Sequence, residues 1–458
     1  MKFENEVDLL YRAQEAEGLR FHEIDRTGRL DNPKSKGHLG QIIEESFFGY
    51  EVNSKAEADF AELGIELKVT PIKELKNGSL SAKERLVLNI IDFHEEAMNS
   101  FEESSFWKKN ESLLLMFYKW MPDVSRGDYR ILKSYLHRFS EADLQVIRND
   151  WATIISKIKA GKAHLISEGD TAYLGACTKG ANRNSLRTQP YSSQSAMQRA
   201  YSLKQSYMTT LARKVITDEH LVSIAEAGEL KEKSIGQLLS DRFKNHEGKP
   251  LDSIAEELGI SLNSKSKSFL QQFVSSLLGV KGTSLADIEE FSKANIKFKT
   301  VRLEPNGIPR EHMSFRNIDF HEWLQDDWDF SWARSHFEET KYLFVVFEYR
   351  ETESENPGRK LYFKNVILWN MPMEEIEGRL KDFWVQVKMT LKEGVVLEEK
   401  KRGVANNLPG PRNNGLCHIR PKARDANDKT ELPDGQMITK QAFWLERHYI
   451  ASIISANS

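Results

Sequence analysis

The sequence predicts an α/β protein built from two copies of one domain, each with a mixed central sheet flanked by helices. A chain of 458 residues is long enough for two or three domains with their own cores. Two apolar runs, LLLMFYKW at 113–120 and YLFVVFEY at 342–349, have the composition of buried strands. Their recurrence indicates an internal repeat. We place the two copies at residues 1–218 and 219–458.

Further pairs of segments support the repeat. A tryptophan precedes a glycine at the same spacing in two helical segments, and two other segments also recur. The pairs are Trp151 and Gly161 with Trp384 and Gly394, KQSY at 204–207 with KQAF at 440–443, and DFAELGIELKVT at 59–70 with EFSKANIKFKTV at 290–301. An element predicted in the first copy is therefore expected in the second.

The elements of the first copy follow from apolar periodicity and from breakers such as Asn32-Pro33 and Asn77-Gly78. In chain order they are an amphipathic helix and turn at 4–28, a helix at 38–48, strands at 59–72 and 86–93, a strand at 113–118, a helix at 140–161, a strand and loop at 171–184, and a closing segment at 198–215 that ends in a basic helix. Gly161 is the predicted end of the long helix.

Composition favours a soluble, cytoplasmic protein. The two cysteines, Cys177 and Cys417, are too few for a disulfide framework or a zinc cluster. The N-terminus is charged, unlike a signal peptide, and no apolar run is long enough to cross a membrane. A net charge of -3 excludes a generally basic nucleic-acid binder, so any DNA surface must be local.

The most informative stretch is the strand at 65–69, where apolar and charged residues alternate. Glu66 and Lys68 share one face of this strand, roughly 6.5 to 7 Å apart, and the turn at Leu63-Gly64 could bring Asp59 beside them. Two carboxylates and a lysine suit metal-assisted hydrolysis of a phosphodiester, because hard oxygen ligands hold Mg²⁺ and a nearby cation orients the attacking water. An exposed amphipathic strand would show the same alternation.

The residues around this strand resemble the MutH family of mismatch-repair nicking endonucleases and related restriction endonucleases that act at GATC. The shared pattern is Lys-Gly-x-x-Gly-Gln-x-x-Glu, then Ser-Lys-x-Glu-x-Asp-Phe-x-x-Leu-Gly-x-Glu-Leu-Lys. It appears here as Lys36, Gly37, Gly40, Gln41, Glu44, Ser54, Lys55, Glu57, Asp59, Phe60, Leu63, Gly64, Glu66, Leu67 and Lys68. The resemblance implies two tandem restriction-endonuclease-like, MutH-like domains, and is strongest to the two-copy GATC-specific type II restriction endonucleases.

The resemblance also implies catalytic roles. Asp59, Glu66 and the Leu67 carbonyl would bind Mg²⁺, Lys68 would serve the water nucleophile, and Glu44 would support the site from a helix. A family lysine near the scissile phosphate is matched best by Lys109, with Lys108 nearly as good.

Two basic segments without Asp or Glu, at 179–214 and 400–424, predict contacts to DNA phosphates. The family's DNA-reading loop contains Arg-Pro-Lys, which is intact here as Arg420, Pro421 and Lys422, whereas the first copy keeps only Lys179. Arginine and lysine commonly donate to guanine in the major groove, so these residues are candidates for base readout. Lys36, Arg183 and Lys204 are candidates for backbone contacts. Each of these cations could equally be an ordinary surface residue.

The second copy has lost the predicted ligands. Glu44, Asp59, Glu66 and Lys68 correspond to Ser275, Glu290, Lys297 and Lys299. An ammonium has no lone pair to give a metal ion, so the second copy should bind DNA without cutting it.

The sequence thus predicts a type II restriction endonuclease that makes Mg²⁺-dependent double-strand cuts at 5′-GATC-3′, with the second copy holding another site as an effector. Self-association on DNA is a further expectation, since each chain has one active centre. A mismatch-repair nickase and a non-catalytic DNA-binding scaffold are the alternatives. The nicking branch has two aromatic residues before Leu-Lys, whereas here Tyr201-Ser202 precedes Leu203-Lys204, which favours the restriction branch.

Overall fold

The computed structural model describes residues 2–31, 37–52, 57–180, 185–226, 228–260, 269–400 and 403–457. Two predicted DNA-contacting residues, Lys36 and Arg183, lie outside these ranges. The fold is mixed α/β, with several sheets flanked by helices. Among the described residues, no helix is both long and apolar enough to span a membrane.

The α-helices are named α1 to α17 in chain order. They are α1 Glu6–Gln14, α2 Phe21–Ile24, α3 His38–Ile42, α4 Phe93–Glu96, α5 Ser105–Asn110, α6 Glu141–Lys159, α7 Gln205–Thr217, α8 Glu229–Glu232, α9 Ile235–Lys244, α10 Leu251–Glu257, α11 Phe269–Leu277, α12 Glu289–Lys293, α13 Phe320–Gln325, α14 Trp332–Glu339, α15 Met373–Glu375, α16 Lys381–Glu393 and α17 Arg447–Ala456. A π-helical turn, Ile43–Phe47, directly continues α3.

The strands are named β1 to β19. They are β1 Ile65–Glu74, β2 Leu80–Ala82, β3 Leu86–Ile90, β4 Ser112–Lys119, β5 Arg130–Arg138, β6 Leu174–Thr178, β7 Leu186–Gln189, β8 Ser192–Met197, β9 Arg199–Leu203, β10 Ile296–Leu303, β11 Met313–Asn317, β12 Lys341–Tyr349, β13 Leu361–Trp369, β14 Leu397–Lys400, β15 Gly403–Asn406, β16 Cys417–Pro421, β17 Lys429–Glu431, β18 Met437–Thr439 and β19 Gln441–Leu445.

The chain forms two compact units that are not simply consecutive. The first unit comprises Met1–Ile235 and Ala286–Asn295, and the second comprises Gly236–Leu285 and Ile296–Ser458. The expected boundary near residue 218 falls at the end of α7, whereas the first unit continues beyond it and also takes in α12.

In the first unit, β1 is the central element. The main sheet has the order β2-β1-β4-β5, with β1 parallel to β4 and antiparallel to β2. Helices α1 to α3 cover one face, where Phe21, Ile42 and Phe60 pack against Ile65 and Leu67 of β1. A second sheet has the order β3-β9-β6, and β7 pairs with β8. Because Ile65 and Leu67 face this core, the side chains of Glu66 and Lys68 lie on the opposite face of the strand.

The second unit has a similar strand arrangement, but its first sheet has three strands where the first unit has four. Its first sheet has the order β10-β12-β13, with β10 parallel to β12, and its second has the order β11-β19-β16. A large apolar core includes Phe344 and Val346 of β12. The apolar runs predicted to be strands are thus β4 and β12, each parallel to the strand that precedes it in its sheet. The helices that carry Trp151 and Trp384, α6 and α16, end two residues and one residue before glycines with positive φ, Gly161 and Gly394.

One predicted pair of repeats is wrong. The motif at 204–207 lies at the start of helix α7, whereas the motif at 440–443 lies in strand β19. The ladders instead align β9 with β19, because Leu203 pairs with Leu174 of β6 and Leu445 pairs with Cys417 of β16. The two short segments have similar sequences, but they do not occupy equivalent positions, because one begins a helix and the other lies in a strand.

Candidate active site

A tight turn before β1 brings Asp59 back to the strand. Phe60 and Ile65 exchange backbone hydrogen bonds at 2.9 and 3.3 Å, and Gly64 closes the turn at φ +65°, a value that favours glycine. The predicted strand at 59–72 therefore begins only at Ile65. The Leu67 N–H donates to Asp59 Oδ2 at 3.0 Å, and the Asp59 N–H donates to Glu66 Oε2 at 3.2 Å. These bonds hold the two carboxylates side by side.

Two lysines approach the same carboxylate. Glu66 is only 2% exposed, and its Oε1 accepts a hydrogen bond from Lys68 Nζ at 2.7 Å. Lys109 Nζ lies 3.5 Å from the same oxygen. Helix α5 places Lys109 there because it runs directly into β4, the parallel neighbour of β1. Lys108 is exposed, so Lys109 is the lysine of this pair that reaches the site.

Glu44 joins the cluster from the π-helical turn. Burial, together with repulsion from Asp59 and Glu66, raises the pKa of Glu44 to about 7. Burial and the neighbouring Glu66 likewise raise the pKa of Asp59 to about 6, although Lys68 acts in the opposite direction. Three carboxylates so close together favour the binding of a cation, because its positive charge offsets their mutual repulsion. The predicted catalytic residues Glu44, Asp59, Glu66 and Lys68 are thus neighbours in the fold.

The oxygen donors here could hold a hard divalent cation. The described residues contain no group of three or more His, Cys, Asp or Glu side chains arranged for a metal ion. Two carboxylates with a backbone carbonyl are nevertheless sufficient for Mg²⁺, which keeps several of its waters. The Leu67 N–H points to Asp59, and the carbonyl of a strand residue points to the same side as its N–H. Asp59, Glu66 and the Leu67 carbonyl therefore form a consistent donor set.

The predicted DNA-contacting residues of the first unit differ in exposure. Lys179 is exposed just beyond β6, where its N–H donates to the Gln198 carbonyl at 2.8 Å. Lys204 is only 3% exposed, and its ammonium donates to the Thr171 carbonyl at 2.5 Å. The prediction that Lys204 contacts the DNA backbone is not supported, because its charge is used inside the protein.

A residue that the sequence did not single out supports the same region. Asp150 of α6 is buried and accepts hydrogen bonds from the N–H groups of Ala172, Tyr173 and Leu174 at 2.6, 2.6 and 2.9 Å. Its carboxylate thus fixes the start of β6, the strand that leads to Lys179. An acidic residue on the apolar face of α6 was the available sequence signal.

In the second unit, the residues that correspond to the acidic cluster do not form one. Lys297 and Lys299 occupy β10, and Ser275 is buried with its hydroxyl donating to the Gln272 carbonyl at 3.1 Å. Glu290 belongs to the first unit, where it accepts hydrogen bonds from Ser223 Oγ at 2.6 Å and from two backbone N–H groups at 3.1 Å. Among the described residues, the second unit therefore has no counterpart of the carboxylate cluster of the first.

The Arg-Pro-Lys segment of the second unit lies at the end of β16. Arg420, Pro421 and Lys422 are exposed. The Arg420 guanidinium lies 5.7 Å from the Trp444 ring centroid, and the Lys422 N–H donates to the Lys440 carbonyl at 2.8 Å. Lys179 has the corresponding backbone bond in the first unit, so the predicted alignment of Lys179 with Lys422 agrees with the strand pairing.

Comparisons with known proteins agree with this geometry. The family model described as "DNA mismatch repair enzyme MutH" matches residues 48–150, a span that contains Asp59, Glu66, Lys68 and Lys109. The type II restriction enzyme Sau3AI of Staphylococcus aureus is 36% identical over 481 residues, covering 96% of each chain. The mismatch repair protein MutH of Pasteurella multocida is 29% identical over 40% of this chain and 82% of its own, and that of Vibrio campbellii is 28% identical over 42% and 83%.

Proposed function

This chain belongs to the family of the type II restriction enzyme Sau3AI, and we propose that it makes Mg²⁺-dependent double-strand cuts at 5′-GATC-3′. This family and the MutH-like nuclease segment identify the chain as a site-specific deoxyribonuclease. The observation that carries the proposal is the convergence of Glu44, Asp59, Glu66, Lys68 and Lys109 around one turn and strand.

The chemistry follows from the positions of these groups. Asp59, Glu66 and the Leu67 carbonyl would hold Mg²⁺, which would acidify a bound water and offset the charge of the scissile phosphate. The Lys68 ammonium, bonded to Glu66, is placed to orient the attacking water and to stabilise negative charge on the phosphorus oxygens. Lys109 would hold a nonbridging phosphate oxygen. Glu44 adds negative charge that strengthens cation binding.

We assign the second unit a different task, that of an effector which binds a second GATC site. Duplex binding depends on phosphate and base-edge contacts rather than on catalytic carboxylates. The exposed Arg420 supplies donors suited to guanine, and Lys179 supplies one in the first unit, whereas the Lys422 ammonium is bonded to the Phe315 carbonyl at 2.5 Å. One acidic cluster per chain is consistent with DNA-induced pairing of chains for a double-strand cut.

The test is a digest of a plasmid of known sequence by purified protein, with Mg²⁺ or with EDTA, followed by sequencing of the ends. We expect linear fragments whose ends all fall at GATC, only with Mg²⁺. Open circles alone would favour a nickase of the mismatch-repair type. Intact plasmid in Mg²⁺ would favour a DNA-binding scaffold.

A further inference from the structure

The strand pairing places lysines of the second unit at the positions of the acidic site. In the ladders, Glu66 lies opposite Leu113 and Lys68 opposite Leu115, while Lys297 lies opposite Tyr342 and Lys299 opposite Phe344. The residue before each strand also corresponds, since Gly64 and Asn295 both have positive φ. The charge at the first of these positions is therefore inverted, from carboxylate to ammonium.

A third lysine, Lys422, reaches this position from the residue that follows β16. Lys299 Nζ donates to the Ser314 carbonyl at 2.8 Å, and Lys422 Nζ donates to the carbonyl of the next residue, Phe315, at 2.5 Å. Both ammonium groups thus lie along β11, and they are close enough for the charge of Lys422 to lower the pKa of Lys299. Lys297, Lys299 and Lys422 are called the lysine cluster below.

Glu339 is the carboxylate that acts on the lysine cluster, where its charge opposes the lowering of the Lys297 pKa by burial. No carboxylate within the described ranges forms a salt bridge with any of its three ammonium groups. Burial and repulsion from Lys422 and Lys297 lower the pKa of Lys299 to about 8. Concentrated positive charge of this kind favours an anion, as the crowded carboxylates of the first unit favour a cation.

The lysine cluster is also accessible. Lys297 and Lys422 are exposed, and Lys299 lines a cavity of about 820 Å³ between β10 and the segment that leads into β11. Arg302 and Arg310 line the same cavity together with the acidic Glu304 and Glu311, and Arg310 is paired with Glu353 at 2.9 Å. The acidic Glu304 of this wall is neutralised by Arg359 at 2.5 and 2.9 Å.

We propose that the lysine cluster binds a phosphodiester of the second DNA site without a metal ion, at the place where the first unit would use Mg²⁺. Ammonium groups supply several donors to phosphate oxygens and release counterions from the duplex on binding. The inference rests on the proposed effector function and adds its phosphate-binding residues. A site that had only lost its activity would not need a positive charge in place of a carboxylate. A phosphate-binding role explains why lysine occupies that position.

The experiment uses the full chain with Asp59→Ala, so that DNA stays intact. Binding of a fluorescent GATC duplex is measured by anisotropy and by stoichiometric titration in EDTA at several salt concentrations. We expect two duplexes per chain. Adding Lys297→Gln and Lys299→Gln should weaken the second binding event roughly tenfold and lower its salt slope by about 2, near one for each lost contact.

Two further variants complete the design. Lys360→Gln, which removes an exposed lysine of the second unit that pairs with Asp252 at 2.9 Å, should leave both binding events unchanged. If the double variant unfolds, Lys297→Gln alone still tests the phosphate site, because Lys297 is at an exposed position. This single change should lower the salt slope of the second binding event by about 1.

The outcomes separate the two hypotheses. One duplex per chain in the Asp59→Ala protein would overturn the effector function itself. Two duplexes with an unchanged salt slope after the lysine changes would overturn the phosphate site and leave the effector function standing.

Inorganic phosphate distinguishes the source of the ligand. A lysine-dependent rise in Tm with phosphate, without any change in duplex binding, would overturn the assignment to DNA.

Discussion

Asp59, Glu66 and Lys68 are the residues on which the proposed chemistry of this chain depends. The turn at Gly64 and the bonds between Asp59, Glu66 and Leu67 fix the carboxylates before any ligand arrives. Such preorganisation places donors where charge develops in the transition state. Roles at this scale can be tested by single substitutions.

The first prediction concerns Asp59→Ala and Lys68→Ala. Each should reduce cleavage by at least about a thousandfold, because removal of a metal ligand or of a charge-stabilising donor costs on that scale, while duplex affinity changes little. Rates come from single-turnover digests, and affinities from anisotropy. Lys108→Ala is the matched control, since Lys108 is exposed and its loss should leave the rate unchanged. Retained cleavage in either site variant would remove the assignment.

The second prediction concerns the raised pKa of Glu44. A carboxyl group whose folded pKa of about 7 exceeds its unfolded value binds extra protons when folded, so its contribution to stability is lost as pH rises from about 4.5 through 7. In EDTA, Glu44→Gln should therefore become more stable relative to the parent as pH increases. Urea unfolding at pH 5.5 and pH 8 measures the difference. Equal differences at the two pH values would contradict the burial of this charge among carboxylates.

At the scale of elements, α12 shows how a segment can be separated in sequence from the unit that it stabilises. Lys293 of α12 is buried against α6, with its ammonium bonded to Asp143 at 2.6 and 2.9 Å. Asp143 also accepts a hydrogen bond from the Tyr207 hydroxyl of α7 at 3.0 Å. One carboxylate thus joins α6, α7 and α12 within the first unit.

The third prediction is that Lys293→Met destabilises the first unit by about 3–5 kcal/mol, because Asp143 would keep a buried charge without its partner. Urea unfolding monitored by circular dichroism measures the loss. In the double variant with Asp143→Leu, much of the stability should return, since no unpaired charge remains. A small effect of Lys293→Met would show that the pair is hydrated in solution.

Residue spacing could locate β1, β4 and α6, because their apolar patterns and glycine ends are local signals. The motif comparison at 204–207 failed because short similar sequences adopt helix or strand according to tertiary contacts. The strand predicted from 59 starts later because the residues between Asp59 and Ile65 form the turn. The start of a strand such as β1 depends on hydrogen bonds that cannot be identified from the amino-acid sequence alone.

At the scale of the whole molecule, the chain repeats one strand order with two different charge patterns. Carboxylates dominate the candidate site of the first unit, and ammonium groups dominate the corresponding position of the second. The difference is what the proposed division between cleavage and DNA capture requires. This proposed division leads to a prediction that must be tested on the intact chain.

The fourth prediction is that a plasmid with two GATC sites is cut roughly tenfold faster than an otherwise identical plasmid with one site, because a tethered second site acts at high effective concentration. Gel assays of initial rates test this. Arg420→Ala should reduce the advantage of the second site without changing the slow rate on one site. Equal rates on the two plasmids would contradict the effector function.

The sequence by itself predicted the acidic motif, the internal repeat and the replacement of its carboxylates in the second copy, because these depend on residue types at fixed spacing. Only the tertiary structure decided that Lys109 rather than Lys108 approaches Glu66, that Lys204 is buried, and that α12 belongs to the first unit. The physical reason is that charge, burial and hydrogen bonding depend on neighbours far apart in the chain, which a linear pattern does not specify.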